Sequence, residues 1–435
     1  MTDVAGTAPD QMAGRSRPNL IDLIRATEID LRQFGMVVAL VVIWIGLGFQ
    51  NSAILQPVNF LSFSVQAAGT AILATGMVLV IVSRNIDLSV GSVVGFIGMF
   101  YAHLMANVFP ATIGVNHPLA WIIALALGVL LGILIGGLQG FLIAYLEIPS
   151  FVVTLGSLFL FRGLIWQLSG GTTIAPDDPT FVLIGGGPEG SLGGPLSWVF
   201  GIVICVAAVY LLFNARRQRQ RFGFPLRPMW AEVLIGAVAI AVALGAVYTA
   251  NSYHWPAGLA TQYAVKHGIV EPPGGLQIEA GIPFPLVILI GVTIFMTFLS
   301  TRRRFGRDIY AFGGNPDAAA LAGIRTRWTV MKIFILMGIL CAISGAIASA
   351  RLNGGTLDLG TGYELYVIAA AVIGGTLFAG GVGSIPGAIL GALVMQSLQY
   401  GLSFLQFNSP QINMVLAVVL VGVVGLDQWA RRRAR

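Results

Sequence analysis

About twelve apolar runs, each close to the length that carries an α-helix across a bilayer, dominate this 435-residue sequence. A helix needs roughly 20 apolar residues to cross the hydrocarbon core. The runs lie near 34–50, 63–83, 91–109, 120–146, 151–168, 197–213, 232–250, 282–300, 329–350, 365–380, 385–406 and 411–427. Gly374, Gly375, Gly380, Gly381, Gly383 and Pro386 interrupt the pattern after 365, so one or two of the last segments are candidates for broken or re-entrant helices. The expected fold is all-α, a polytopic transmembrane helix bundle of about 10–12 spans. Only 10% of residues are charged and 56% are hydrophobic. A soluble domain carries about 25% charged residues, so the main solvent of this chain is lipid.

Positive charge sets the expected orientation, because cytoplasmic loops collect Lys and Arg. The arginines fall in four clusters: Arg15, Arg17, Arg25 and Arg32; Arg216, Arg217, Arg219, Arg221 and Arg227; Arg302, Arg303, Arg304, Arg307, Arg325 and Arg327; and Arg431, Arg432, Arg433 and Arg435. Together they hold 19 of the 24 Lys and Arg residues, so the net charge of +6 is a topology signal rather than a nucleic-acid one. Counting spans from a cytoplasmic N-terminus puts all four clusters on one side. The loops 169–196 and 251–281, with one Lys and no Arg, then fall outside. The expected organisation is a cytoplasmic segment 1–33, one transmembrane domain 34–427 with cytoplasmic loops at 214–231 and 301–328, and a basic cytoplasmic tail 428–435. The apolar run that begins near Phe34 lacks a clear cleavage site and reads as an uncleaved first helix.

Several chemistries lack their parts. The only lysines, Lys266 and Lys332, do not follow glycine, so no GxxxxGK[ST] nucleotide loop exists. His103, His117, His254 and His267 lie in or near expected outer loops and no HExxH occurs, which argues against an intramembrane metalloprotease. No acidic cluster suits a membrane-embedded transferase or a proton-coupled carrier. Cys205 and Cys341 sit in apolar runs and read as packing residues. No cofactor or metal is expected on this chain. Gly128, Gly132, Gly136 and Gly140 line one helix face, and Gly383, Gly387 and Gly391 repeat the spacing; both read as seams of close helix packing.

Polar groups inside spans are costly and therefore functional candidates. Arg162 lies about halfway along the fifth run, where a structural ion pair, a snorkelling side chain and substrate contact all stay open. Asn85, Asp87 and Ser89 join the second and third runs, where Asp87 fits a helix cap or a pathway group. Gln139, Thr154, Tyr363 and Glu364 are further groups that could meet a hydroxylated solute.

The stretch Asn85-Ile-Asp-Leu-Ser-Val-Gly-Ser92, the stretch from Gly137 to Gly156 with Arg162-Gly163, and above all Arg304-Phe-Gly-Arg-Asp-Ile-Tyr-Ala-Phe-Gly-Gly-Asn-Pro-Asp-Ala-Ala-Ala-Leu-Ala-Gly-Ile324 resemble the sugar permeases of bacterial ABC importers, the ribose, xylose, arabinose and galactose systems. Gly374-Gly375 and Gly380-Gly-Val-Gly-Ser384 fit too, and the resemblance covers roughly 60–180 and 282–427. Residues 185–280 depart from the ribose-type pattern by an extra pair of spans and an Arg-rich loop, as in xylose-type permeases, which favours a pentose. A branched-chain amino-acid permease is the alternative within transport. The resemblance implies a homodimer in the bacterial inner membrane, a separate ATPase subunit and an extracytoplasmic sugar-binding protein. Within 301–328, Asn315 suits an N-cap, Pro316 the first helical position, Asp317 the positive end of the dipole and Gly323 the stop. The resemblance makes this short helix, with Gly314, Asn315, Asp317, Ala319, Leu321, Gly323 and Ile324, the expected ATPase-coupling element.

Overall fold

The computed structural model describes Glu28, residues 30–175 and residues 178–434. Most of the segment 1–33, with Arg15, Arg17 and Arg25, lies outside the described residues, as does Arg435. The elements in order are α1 (Leu31–Gln50), α2 (Pro57–Val82), α3 (Val90–His103), α4 (Ala120–Ala144), α5 (Ser150–Ser169), α6 (Gly194–Arg221), α7 (Met229–Asn251), α8 (Phe284–Arg302), α9 (Arg304–Gly314), α10 (Pro316–Leu321), α11 (Thr326–Leu352), α12 (Tyr363–Ile373), α13 (Ile385–Phe404) and α14 (Ser409–Ala434). α3 continues through a π-helical turn, Leu104–Val108, and the turn Phe109–Thr112. Among the described residues 10 helices are long and apolar enough to cross a membrane, with α12 and the stretch Ser409–Gly422 as shorter apolar helices. The expected polytopic helical bundle is the observed one.

The core forms around α2 and α11, both buried along most of their length. α4 and α3 pack on α11, and α12 and α13 pack on α2. Glycine decides how closely these helices approach. A Cβ at Gly132 would strike the carbonyl of Gly338, one at Gly136 the carbonyl of Phe334, and one at Gly128 the ring of Tyr101. The glycine face of α4 is thus a backbone-to-backbone seam with α11, while Leu130, Leu134 and Leu138 on its other side are exposed to lipid. Gly387 and Gly391 make a second seam, α13 lying against the carbonyls of Gly374 and Ala370.

The extra pair of spans is the α6–α7 hairpin, which packs mainly on itself and exposes Val203, Val206, Val238 and Val242. Arg216 to Arg221 sit in the last turns of α6 rather than in the expected loop, which shrinks to 222–228. Cations at a helix C-terminus meet the negative end of its dipole, so the helix outruns its apolar run. Arg216 pairs with Glu232 at 2.6 Å. Arg219 and Arg227 grip Glu28 at 2.6 and 2.9 Å. Their hydrogen bonds hold its carboxyl down to about 2.

Two interruptions matter for function. One is the turn between α2 and α3. The other is residues 353–362 between α11 and α12, where Asn353, Gly354, Gly360 and Gly362 all have positive φ. The break expected at Gly374 to Pro386 is found at 374–384, where the chain is irregular between the 11-residue helix α12 and α13; the interruption at 353–362 precedes it and was not expected.

Candidate functional site

The two interruptions meet inside the bundle. Asp87 is 2% exposed, and its Oδ1 accepts hydrogen bonds from the Ser89 amide at 2.9 Å and the Ser89 hydroxyl at 2.7 Å. Gln139 of α4 donates to the Ser89 hydroxyl oxygen at 2.8 Å. The Thr154 hydroxyl of α5 donates to the carbonyls of Ser150 at 2.8 Å and Ile86 at 3.3 Å. Asn85 folds back on Ser83, its amide donating to that carbonyl and hydroxyl, each at 3.0 Å. Asp87, Ser89, Gln139 and Thr154 thus form one polar latch that ties the first interruption to α4 and α5, and Asn85 shapes the turn locally.

The second interruption runs beside α3. Cβ atoms at Gly91 and Gly95 would strike the carbonyls of Gly360 and Leu359, so only glycine admits this approach. Arg162 donates from Nη1 to the Leu359 carbonyl at 3.1 Å and sits at the limit of reach of Leu357 at 3.5 Å. Asp358 and Glu364 are close enough to interact with it electrostatically, and Glu364 likewise senses Asp87. Glu364 is half-buried, and its Oε2 has no hydrogen-bond partner among the described residues. Tyr363 is half-buried and packs on the main core.

Depth gives this cluster its meaning. Arg162 lies about 18 Å from one end of α5 and about 10 Å from the other at 1.5 Å per residue. Yet Asp358 and Thr361, on the segment it holds, are exposed, as are Gly156 and Gly163 of α5. At the depth of the hydrocarbon, irregular backbone survives only where it faces protein or a water-filled cavity. With α5 spanning the bilayer, the face carrying Asp358 and Thr361 would have to meet protein or water rather than lipid. Among the described residues Arg162 forms no ion pair, and it is held instead by the Leu359 carbonyl.

The short helix α10 has the expected geometry. The Asn315 side chain accepts from the Ala318 amide at 3.0 Å, Pro316 opens the helix, Asp317 lies in its first turn, and Gly323 follows it at φ +79°. Ile324 closes the turn by donating to the Ala319 carbonyl at 3.0 Å. Its faces differ from the expectation. Ala319 is 4% exposed and turned inward, whereas Leu321 is 91% exposed. The open surface is thus Asp317, Ala320 and Leu321 rather than Ala319.

The preceding helix is fastened to the first interruption and to the turn 374–384. Arg84, after α2, donates to the carbonyls of Gly313 and Gly314 at 2.7 and 2.8 Å. A Cβ at Gly313 would strike the Val82 carbonyl, which accepts from the Gly381 amide at 3.0 Å. The Tyr310 hydroxyl donates to the Gly383 carbonyl at 2.9 Å. Arg84, Tyr310, Asp358 and Thr361 were not among the sequence candidates. A signal existed for two of them: Asp87-Leu-Ser-Val-Gly91 and Asp358-Leu-Gly-Thr-Gly362 share the pattern Asp-Leu-x-x-Gly, one at each interruption. No group of three metal-ligating residues is found among the described residues.

A family model described as the permease component of a branched-chain amino acid transport system matches residues 59–230 and 180–424. The chain belongs to this permease family. It is 34% identical to the xylose transport system permease protein XylH of Escherichia coli (strain K12), over 93% of this chain and 94% of that protein. With the XylH protein of Haemophilus influenzae it shares 35% identity over 94% of this chain and all of the relative. With the ribose import permease RbsC of Bacillus subtilis (strain 168) the figure is 27%, over 92% and 93%. No solved structure matches the chain. The multi-pass architecture and the permease family agree on a transport subunit of the membrane.

Proposed function

We propose that this permease is the membrane subunit of an ATP-binding-cassette importer that carries a neutral monosaccharide, a pentose of the xylose type, into a bacterial cytoplasm. The observation that carries this reading is the face of Arg162, Asp358, Thr361 and Glu364, which offers hydrogen-bond donors and acceptors at mid-membrane depth. Its mixed charge suits a polyol better than an ion of either sign. Near full-length relatives named for xylose, allose, galactose and ribose support the sugar class, and those named for xylose, together with the α6–α7 hairpin, support a pentose.

With no GxxxxGK[ST] loop in its sequence, the chain takes its energy from a separate ATPase seated on α10. An extracytoplasmic binding protein delivers the sugar to the outer loops. A second copy of the chain covers the non-lipid face and completes the passage. Both termini, 222–228 and 303–325 lie in the cytoplasm of the inner membrane, by the arginine clusters. Movement of the ATPase shifts α9 and α10. Arg84 and Tyr310 carry the shift to the end of α2, and so to the first interruption, and to the turn 374–384, from which α12 leads to the second. The Asp87–Ser89–Gln139 latch keeps the first of them registered on α4.

The family description favours a second reading, a branched-chain amino acid as cargo. Co-reconstitution with its ATPase and binding protein in proteoliposomes separates the two. ATP hydrolysis is measured with xylose, ribose, allose, galactose and leucine in turn. We expect a pentose to stimulate hydrolysis and to accumulate inside. Stimulation by leucine alone would favour the second reading, and stimulation by none would overturn both.

A further inference from the structure

A second polar cavity, apart from the mid-membrane face, opens on the outer side between the end of the third span and the end of α5. Its volume is about 730 Å³. Small-molecule sites run to roughly 300–1,000 Å³. Met105 and Leu168 are among its apolar lining, and His103, Asn107, Asn116, Thr172, Thr173 and Asp178 line it with hydrogen-bonding groups.

Three local features shape it. The π-helical turn Leu104–Val108 sits at its edge, and such turns occur mostly where a helix serves a function. His103, just before that turn, and Asn107, within it, have Nδ1 and Nδ2 3.3 Å apart. On the facing wall, Ile174 exchanges backbone hydrogen bonds with Gly355 at 3.0 and 2.9 Å, which fixes Thr173 and leads directly into the segment 353–362. Asp178 is buried, and its Oδ1 accepts from the amides of Thr180 and Phe181 at 2.9 and 3.1 Å.

We propose that this cavity is a low-affinity receiving site for a free polyhydroxylated ring. It holds the sugar between release from the binding protein and passage along the Asp358–Glu364 face. The inference rests on the polyol reading of the cargo given above. Among the described residues no Lys or Arg lines the cavity, so none offers an anion a countercharge there. Amide and hydroxyl side chains both donate and accept, which matches a ring of hydroxyls in any rotation. The apolar lining, Met105 and Leu168, suits the C–H face of the ring.

The test uses the full permease–ATPase complex in nanodiscs without binding protein, with D-xylose as probe and saturation-transfer NMR as readout. Tetrahydropyran, the same ring without hydroxyls, is the competitor. The variants are Asn107→Leu, the near-isosteric Thr173→Val, and both together. The proposal expects millimolar xylose binding, a loss of about tenfold or more in the double variant, and no competition by tetrahydropyran. Unchanged xylose affinity in the double variant, or equal competition by tetrahydropyran, overturns it. Hydrolysis stimulated by sugar-loaded binding protein is read in parallel. If stimulation persists while the variants bind xylose as the wild type does, only the receiving site falls. If no sugar stimulates hydrolysis, the polyol reading falls and the site with it.

Discussion

Arg84 reaches from the end of α2 to donate to the carbonyl oxygen of Gly313 at 2.7 Å through Nε, and to that of Gly314 at 2.8 Å through Nη2. Gly313 ends a helix on the arginine-rich side, and three residues beyond Arg84 the chain reaches Asp87. The contact is therefore a short mechanical link between the coupling element and the polar latch. Arg84→Met keeps the bulk and removes both bonds. It should leave the permease inserted and bound to its ATPase while lowering sugar uptake about tenfold, with ATP hydrolysis no longer raised by loaded binding protein. Uptake within twofold of wild type would show that the link carries no coupling.

The surface of α10 gives a prediction with opposite outcomes on two adjoining faces. Leu321 is almost wholly exposed and Ala319 almost wholly buried. Leu321→Asp should abolish co-purification of the ATPase without changing the amount of permease in the membrane. Ala319→Arg should instead reduce that amount, because it forces a charge into a packed contact. If Ala319→Arg inserts normally and still holds the ATPase, the assignment of faces is wrong.

Arg162→Met removes the guanidinium from the mid-membrane face and frees the Leu359 carbonyl. Uptake should fall about tenfold or more with the membrane-inserted amount near normal. Disappearance of the protein from the membrane would make Arg162 a structural residue and remove it from the passage.

The α4–α11 seam predicts a sharp contrast between neighbouring glycines. A Cβ at Gly136 would strike the Phe334 carbonyl, whereas one at Gly137 meets only Ile335, at 3.8 Å. Overpacking a tight seam costs about 1–3 kcal/mol or more. Gly136→Val should therefore lower the yield and thermal midpoint of the detergent-solubilised protein, and Gly137→Ala should leave both unchanged.

Glu28 gives the pH dependence. Arg219 and Arg227 lower its carboxyl from an ordinary 4.5 to about 2. Its contribution is thus fully present above pH 4.5 and is lost as the pH falls toward 2. The difference in thermal midpoint between wild type and Glu28→Gln should be constant from about pH 6 to 8 and shrink below 4.5, and it should be small because the pair is exposed.

The span boundaries were legible because apolar length is a one-dimensional signal; the glycine seams were legible because four-residue spacing places small residues on one face. The cap geometry at Asn315 and Gly323 is equally local and appears as expected. What escaped the sequence depends on which side of a helix meets its own chain. Ala319 and Leu321 read alike in an apolar run, and only packing turns one inward. Asp358 lies in a glycine-rich stretch with no helical period, so nothing local reveals its depth; Arg162, half the chain away, fixes it. Arg84 looks like any interfacial arginine until Gly313 is brought beneath it. The end of α6 was misread because Arg216 to Arg221 signal a cytoplasmic location, which a helix can occupy as well as a loop.

The central claim is that sugar passes along the face of Asp358, Thr361 and Glu364, and a single cysteine tests it most directly. Thr361→Cys is made in a background of Cys205→Ala and Cys341→Ala, reconstituted with ATPase and binding protein, and treated with a membrane-impermeant methanethiosulfonate. Val242→Cys, on the lipid-facing side of α7, serves as the control. The account predicts that the cysteine at 361 reacts, that uptake of labelled xylose stops, and that excess xylose slows the reaction, while the cysteine at 242 stays unmodified. An unreactive cysteine at 361, or one whose modification leaves uptake intact, would contradict it.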